Sequence, residues 1–94
     1  MTLRFTPLAE ADIDEIAAYI EQHNPLAAQR WVDRVEHKCI SIATMPGVGV
    51  AKPEVRQNVR IAPMGNYPII YREITDEAEI VRVLHRARKW QALL

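Results

Sequence analysis

The chain has 94 residues, 49% of them hydrophobic and 26% charged, a balance that excludes a disordered chain and suits a single domain over residues 1–94 with a small core. Its formal net charge of zero argues against a broadly basic, strongly nucleic-acid-binding domain. Its one cysteine, Cys39, excludes an internal disulfide.

That cysteine usage suits a reducing compartment. The opening residues, from Met1 to Pro7, contain no long apolar run, so neither a signal peptide nor a membrane span is expected, and the expected location is the cytoplasm. The zero charge hides a split. Residues 1–24 carry Glu10, Asp12, Asp14, Glu15 and Glu21 against Arg4 alone, so the remainder is net positive. From Ile80 onward come Arg82, Arg86, Arg88 and Lys89 with no acid.

In chain order, Leu3-Arg4-Phe5 alternates in polarity and predicts a short strand. Thr6-Pro7 is a helix start, with threonine as N-cap and proline where no N–H is needed. Ile13, Ile16, Ala17 and Ile20 then fall on one face of that helix, with Asp12, Asp14 and Glu15 near its positive end. Asn24-Pro25 repeats the start signal. Ala28, Trp31, Val32, Val35, Cys39 and Ile42 carry a second, longer helix to about Thr44, where Met45-Pro46-Gly47 stops it. So short a link makes the two helices an antiparallel hairpin.

Val48 to Pro53 reads as a loop. Alternation from Val55 to Ile61 predicts a strand, Pro63 to Asn66 a turn, and Tyr67–Arg72 and Glu79–His85 two further strands joined at Thr75-Asp76-Glu77. Pro68 belongs at a strand start, because it has no N–H for a ladder. Residues 89–94 suggest a last helical turn. The expected fold is α+β, in the order β-α-α-β-β-β. The helix hairpin packs on one face of a small, mainly antiparallel sheet whose other face stays at least partly open.

His23, His37 and His85 are scattered, the three glycines stand apart, and no metal or cofactor is expected. Cys39 has core spacing. Arg30, Arg34 and Lys38 recur every four residues as a basic stripe, either a solvated face or a docking surface for an acidic segment. On the open face of the sheet, Arg60, Arg82 and His85 are candidates for one cationic pocket. Arginines there would grip phosphates as forks and His85 would move a proton near neutral pH. With Glu54 as base, this is the minimum set for RNA cleavage.

Several segments, taken in order and spacing, resemble the ParE branch of the RelE/ParE superfamily of bacterial type II toxin–antitoxin toxins. They are 11–16 (Ala-Asp-Ile-Asp-Glu-Ile) with Tyr19-Ile20, 24–28 (Asn-Pro-Leu-Ala-Ala), 45–47 (Met-Pro-Gly), 67–72 (Tyr-Pro-Ile-Ile-Tyr-Arg) and 80–90 (Ile-Val-Arg-Val-Leu-His-Arg-Ala-Arg-Lys-Trp). Members often have glycine where this chain has Arg86, and another residue where it has Pro68. The resemblance implies either a ribosome-dependent mRNA endonuclease or a non-enzymatic inhibitor of DNA gyrase. The endonucleases use loop lysines, sheet arginines and a tyrosine near the C-terminus. Here Lys52 is the one loop lysine, Arg60 and Arg82 match the arginines, and no tyrosine follows Tyr71. Relatives that use Glu, Arg and His are imitated only weakly by Glu54, Arg60 and His85. The incomplete set favours gyrase, with Arg60, Arg82, His85, Arg86, Arg88 and Trp90 as the toxic surface. The resemblance also implies a ParD-like antitoxin lying along the helix hairpin and sheet edge, with Arg30, Arg34, Lys38 and Trp31 as candidate contacts.

Overall fold

The structure, a computed structural model, describes residues 2–88. It runs β1 (Thr2–Phe5), α1 (Pro7–Glu21), α2 (Pro25–Thr44), a single 3₁₀ turn (Pro46–Val48), β2 (Val50–Ala51), β3 (Val59–Ala62), β4 (Ile69–Ile74) and β5 (Glu77–Val83). The helices form a hairpin on one face of a five-stranded sheet ordered β1-β5-β4-β3-β2, in which only β1 against β5 is parallel. The expected α+β architecture is the one found. The last helical turn expected over 89–94, and Trp90 with it, lie outside the described residues.

Local chemistry sets the helix starts. Thr6 Oγ1 accepts the Ala9 N–H at 3.0 Å, and Asn24 Oδ1 accepts the Ala27 N–H at 3.1 Å. Each cap is followed by proline at the first helical position. The inward stripe of α2 is Ala28, Trp31, Val35, Cys39 and Ile42, all buried, as its spacing predicts.

Two strands differ from expectation. Val50–Ala51, expected as loop, bridges to Ile61 and Arg60 and forms the edge strand β2. The strand expected from Val55 begins only at Val59. Lys52 to Asn58 turns back on itself, the Lys52 carbonyl accepts the Val55 N–H, and Asn58 takes a left-handed φ of 66° that no extended strand contains. The β4–β5 hairpin turns at Thr75-Asp76, with Asp76 also left-handed. Pro68 stands just before β4, and its carbonyl accepts the Leu84 N–H, which extends the ladder past the strand ends.

The apolar strand residues divide between the two faces. Ile69, Tyr71, Ala78, Ile80 and Val83 join the helices in the main core. Val59, Ile70, Val81 and Leu84 form a second cluster, none more than 9% exposed, so the face expected to be partly open buries its apolar side chains. Beside it an ion-pair ladder crosses three strands: Arg4 to Glu79 at 3.8 Å, Arg4 to Glu77 at 3.7 Å and Arg72 to Glu79 at 2.7 Å. Glu79 is itself buried, so these charges need one another.

Cys39 sits at the centre of the helix–sheet core. Burial, with the Glu36 carboxylate as a second cause, pushes its thiol up to about 11. The unfolded thiol ionises first, near its ordinary value of about 9, so folding stability falls as pH rises through that value toward 11. Urea midpoints at pH 8 and pH 10.5 should show this loss, and Cys39→Ala should reduce the difference between them.

Candidate functional site

Strand β5 outruns its neighbour. Pairing with β1 ends at Phe5 opposite Ile80, and the start of α1 takes over the exposed edge. The Thr6 N–H donates to the Ile80 carbonyl at 3.0 Å, and the Thr6 hydroxyl donates to the Val81 carbonyl at 2.8 Å. Nearly two turns on, Asp12 Oδ2 accepts the Val83 N–H at 3.0 Å. The same carboxylate holds Arg82 as a fork, with Nε at 2.7 Å from Oδ2 and Nη2 at 2.9 Å from Oδ1. The hydrogen bond to Asp12 holds the Arg82 guanidinium above its ordinary value, against the opposing effect of burial. A bulge lies beside the fork: Ile70 pairs with Arg82 but Tyr71 pairs with Ile80, so Val81 is the extra residue.

At the end of β5, a cleft of about 90 Å³ is lined by Asp12, Glu15, Tyr67, His85 and Arg88. The half-buried His85 ring meets Tyr67 edge-on at 5.3 Å, and Tyr67 meets the buried Trp31 at 5.5 Å. His85 Nδ1 accepts the Ala87 N–H at 3.1 Å, so the proton of the neutral ring is on Nε2. Arg86 donates its N–H to the Asn66 carbonyl at 2.8 Å, while its side chain and that of Arg88 are exposed. Arg86 and Arg88 thus form a cationic end beside His85, whose ring is buttressed from the core by two aromatic rings.

Arg60 lies elsewhere. It pairs with Tyr71 in the sheet, donates to the Gly49 carbonyl at 2.8 Å and lies 3.9 Å from Glu73. Tyr71 shares this work. Its hydroxyl accepts the Gly49 N–H at 2.9 Å and donates to the Pro46 carbonyl, and burial pushes it up from its ordinary value. Together they latch the crossing from α2 to β2. The Tyr67 that touches His85 precedes Tyr71 by four residues, roughly 13 Å along an extended chain.

The single pocket expected from Arg60, Arg82 and His85 is therefore not formed. Arg60 is engaged at one end of β4, Arg82 is clasped by Asp12, and His85 stands at the other end. Glu54 is exposed in the turn before β3 and does not line the His85 cleft. Arg30 and Arg34 are exposed and Lys38 is half-buried. Trp31, expected as a partner contact, is 3% exposed and belongs to the core, because its position on α2 is in phase with Val35 and Cys39. Sequence reasoning missed the part played by Asp12. The signal was its position: between Ala9 and Ile16 it stands on the inward side of α1, where a carboxylate needs a partner. Among the described residues no helix is long and apolar enough to cross a membrane.

Comparison with known proteins places this arrangement. The family model described as ParE toxin of type II toxin–antitoxin system, parDE, matches residues 3–90. The chain is 38% identical over 81 residues to Toxin RelE2 of Caulobacter vibrioides, covering 85% of this chain and 89% of the relative. It is 30% identical over 92 residues to Toxin ParE1 of the same organism, covering 97% and 95%. A solved structure of the chromosomal ParDE TA system from P. aeruginosa superposes with a TM-score of 0.78 over 90% of this chain and 95% of that one, at 22% identity, which is a likeness of fold.

Proposed function

Because the chain belongs to the ParE toxin family of type II toxin–antitoxin systems, we propose that it arrests growth by inhibiting DNA gyrase and is neutralised by a small ParD-like antitoxin. The observation that carries the choice of target is the separation of His85 from Glu54 and Arg60, neither of which lines the His85 cleft. General acid–base cleavage of RNA needs its base, its acid and its phosphate-binding cation around one phosphate. Here Arg60 holds the Gly49 carbonyl while His85 packs on Tyr67. What the cationic end offers is a recognition surface: exposed Arg86 and Arg88 next to an imidazole held by the Ala87 N–H. Trp90 continues this segment in sequence and is assigned to the same surface. No cofactor is required, and the site of action is the cytoplasm.

Induced expression tests this reading. A gyrase poison gives a DNA-damage response and filamentation. Immediate translation arrest with cuts in translated mRNA would instead place the target on the ribosome. Within the gyrase reading, the double substitution Arg86→Ala and Arg88→Ala should relieve growth arrest at least tenfold in plating efficiency. It should leave the thermal midpoint within about 2 °C of the parent, since both side chains are exposed.

A further inference from the structure

A second cleft lies on the flank of α1 opposite the one that faces the His85 cleft. Between the end of β1 and the two helices lies a cleft of about 330 Å³. Its floor is apolar: Phe5, Ile13 and Val32 are half-buried and Val35 is buried, and all four belong to the main core or pack against it. Three exposed carboxylates line it, Glu10 and Asp14 on α1 and Glu36 on α2. Neither lysine nor arginine is among its lining residues, and none of the three carboxylates has an ion-pair partner among the described residues. Arg4, next to Phe5 in the chain, is turned to Glu77 and Glu79.

The basic stripe stays out of this cleft for a geometric reason. At ~100° per residue, Val32 and Glu36 lie on one flank of the buried face of α2, and Arg30, Arg34 and Lys38 lie on the other. A segment seated in the cleft meets acids on both walls and no base.

We infer that this cleft docks an amphipathic protein segment whose apolar ridge is flanked on both sides by lysine or arginine. Acids on both walls select the cations, and the apolar floor selects the ridge between them. Glu10 and Asp14 are one turn apart on α1, so cations spaced three or four residues apart on a helical partner match them. If the partner is the antitoxin, which rests on the function proposed above, its docking segment is basic in this stretch, the opposite of the acidic segment expected from the basic stripe.

The test uses the full chain and two synthetic 14-residue amphipathic helical peptides, one built of leucine and lysine, the other of leucine and glutamate. Binding is followed by fluorescence anisotropy and by amide chemical shifts. The lysine peptide is expected to bind and to shift Ile13, Val32 and Val35. Its affinity should fall about tenfold in the Glu10→Gln, Asp14→Asn, Glu36→Gln variant, and should also fall between 50 mM and 500 mM salt. Those substitutions are at exposed positions, and an unchanged melting curve checks that the variant is folded. The inference is overturned if the glutamate peptide binds as well as the lysine peptide, if neither binds, or if the shifts lie outside the cleft. Loss of growth arrest in cells with peptide binding intact would count against the toxin reading and leave the cleft assignment standing.

Discussion

Asp12→Ala should lower the unfolding free energy by about 3–5 kcal/mol, the cost of taking the carboxylate fork away from a largely buried guanidinium. Arg82 is 12% exposed in its side chain and loses both carboxylate contacts at once. The Val83 N–H loses its acceptor too, on the part of β5 that β1 no longer covers. Urea denaturation of the parent and the variant measures the loss. The double variant Asp12→Ala, Arg82→Met should recover part of it, because it removes the desolvated guanidinium together with its carboxylate. A double variant no more stable than Asp12→Ala would show that the Val83 N–H, and not the ion pair, accounts for the cost.

Gly49→Ala carries the second-largest expected effect, about 2–3 kcal/mol of destabilisation from forcing atoms into filled space. A Cβ there would stand 2.6 Å from the Tyr71 hydroxyl, 2.8 Å from its ring carbon Cε1 and 3.0 Å from the Ile61 carbonyl oxygen. The glycine is needed for this close approach, since its backbone is extended, at φ −77° and ψ 164°. Adding Tyr71→Phe removes only the nearest atom, so that double variant should not return to parental stability. It also deprives the Gly49 N–H and the Pro46 carbonyl of their partner. The shift in the urea midpoint checks both statements.

These two predictions concern residues whose roles were hidden in the sequence to different degrees. The helix boundaries were legible, because Thr6-Pro7 and Asn24-Pro25 act on backbone groups within three residues of themselves. The core stripe of α2 was legible because helical periodicity is a local property. Strand β2 was not, since two residues of bridge in a stretch rich in glycine and proline carry no periodic signal. Nor was the late start of β3, which depends on Asn58 adopting a left-handed conformation. The candidate site was legible as a list of cations but not as an arrangement. Arg82 answers to a carboxylate seventy residues away, and Arg60 answers to a loop that it closes. Both pairings are consequences of the tertiary fold. The exposure of Arg86 and Arg88 was easier to anticipate, since both stand just past the end of β5, and no described carboxylate lies within ion-pair distance of them.

Family membership and fold leave one question that carries most of the biology, namely which machine this toxin stops. The central claim is that the cationic end recognises gyrase and that Glu54, Arg60 and His85 do not cut RNA. The most direct test adds the purified chain to purified gyrase and relaxed plasmid and follows supercoiling, with detergent release of any trapped cleavage complex. The account predicts concentration-dependent loss of supercoiling and accumulation of linear DNA, both abolished in the Arg86→Ala, Arg88→Ala variant. Full supercoiling at a large excess of the chain, with no linear product, would contradict it.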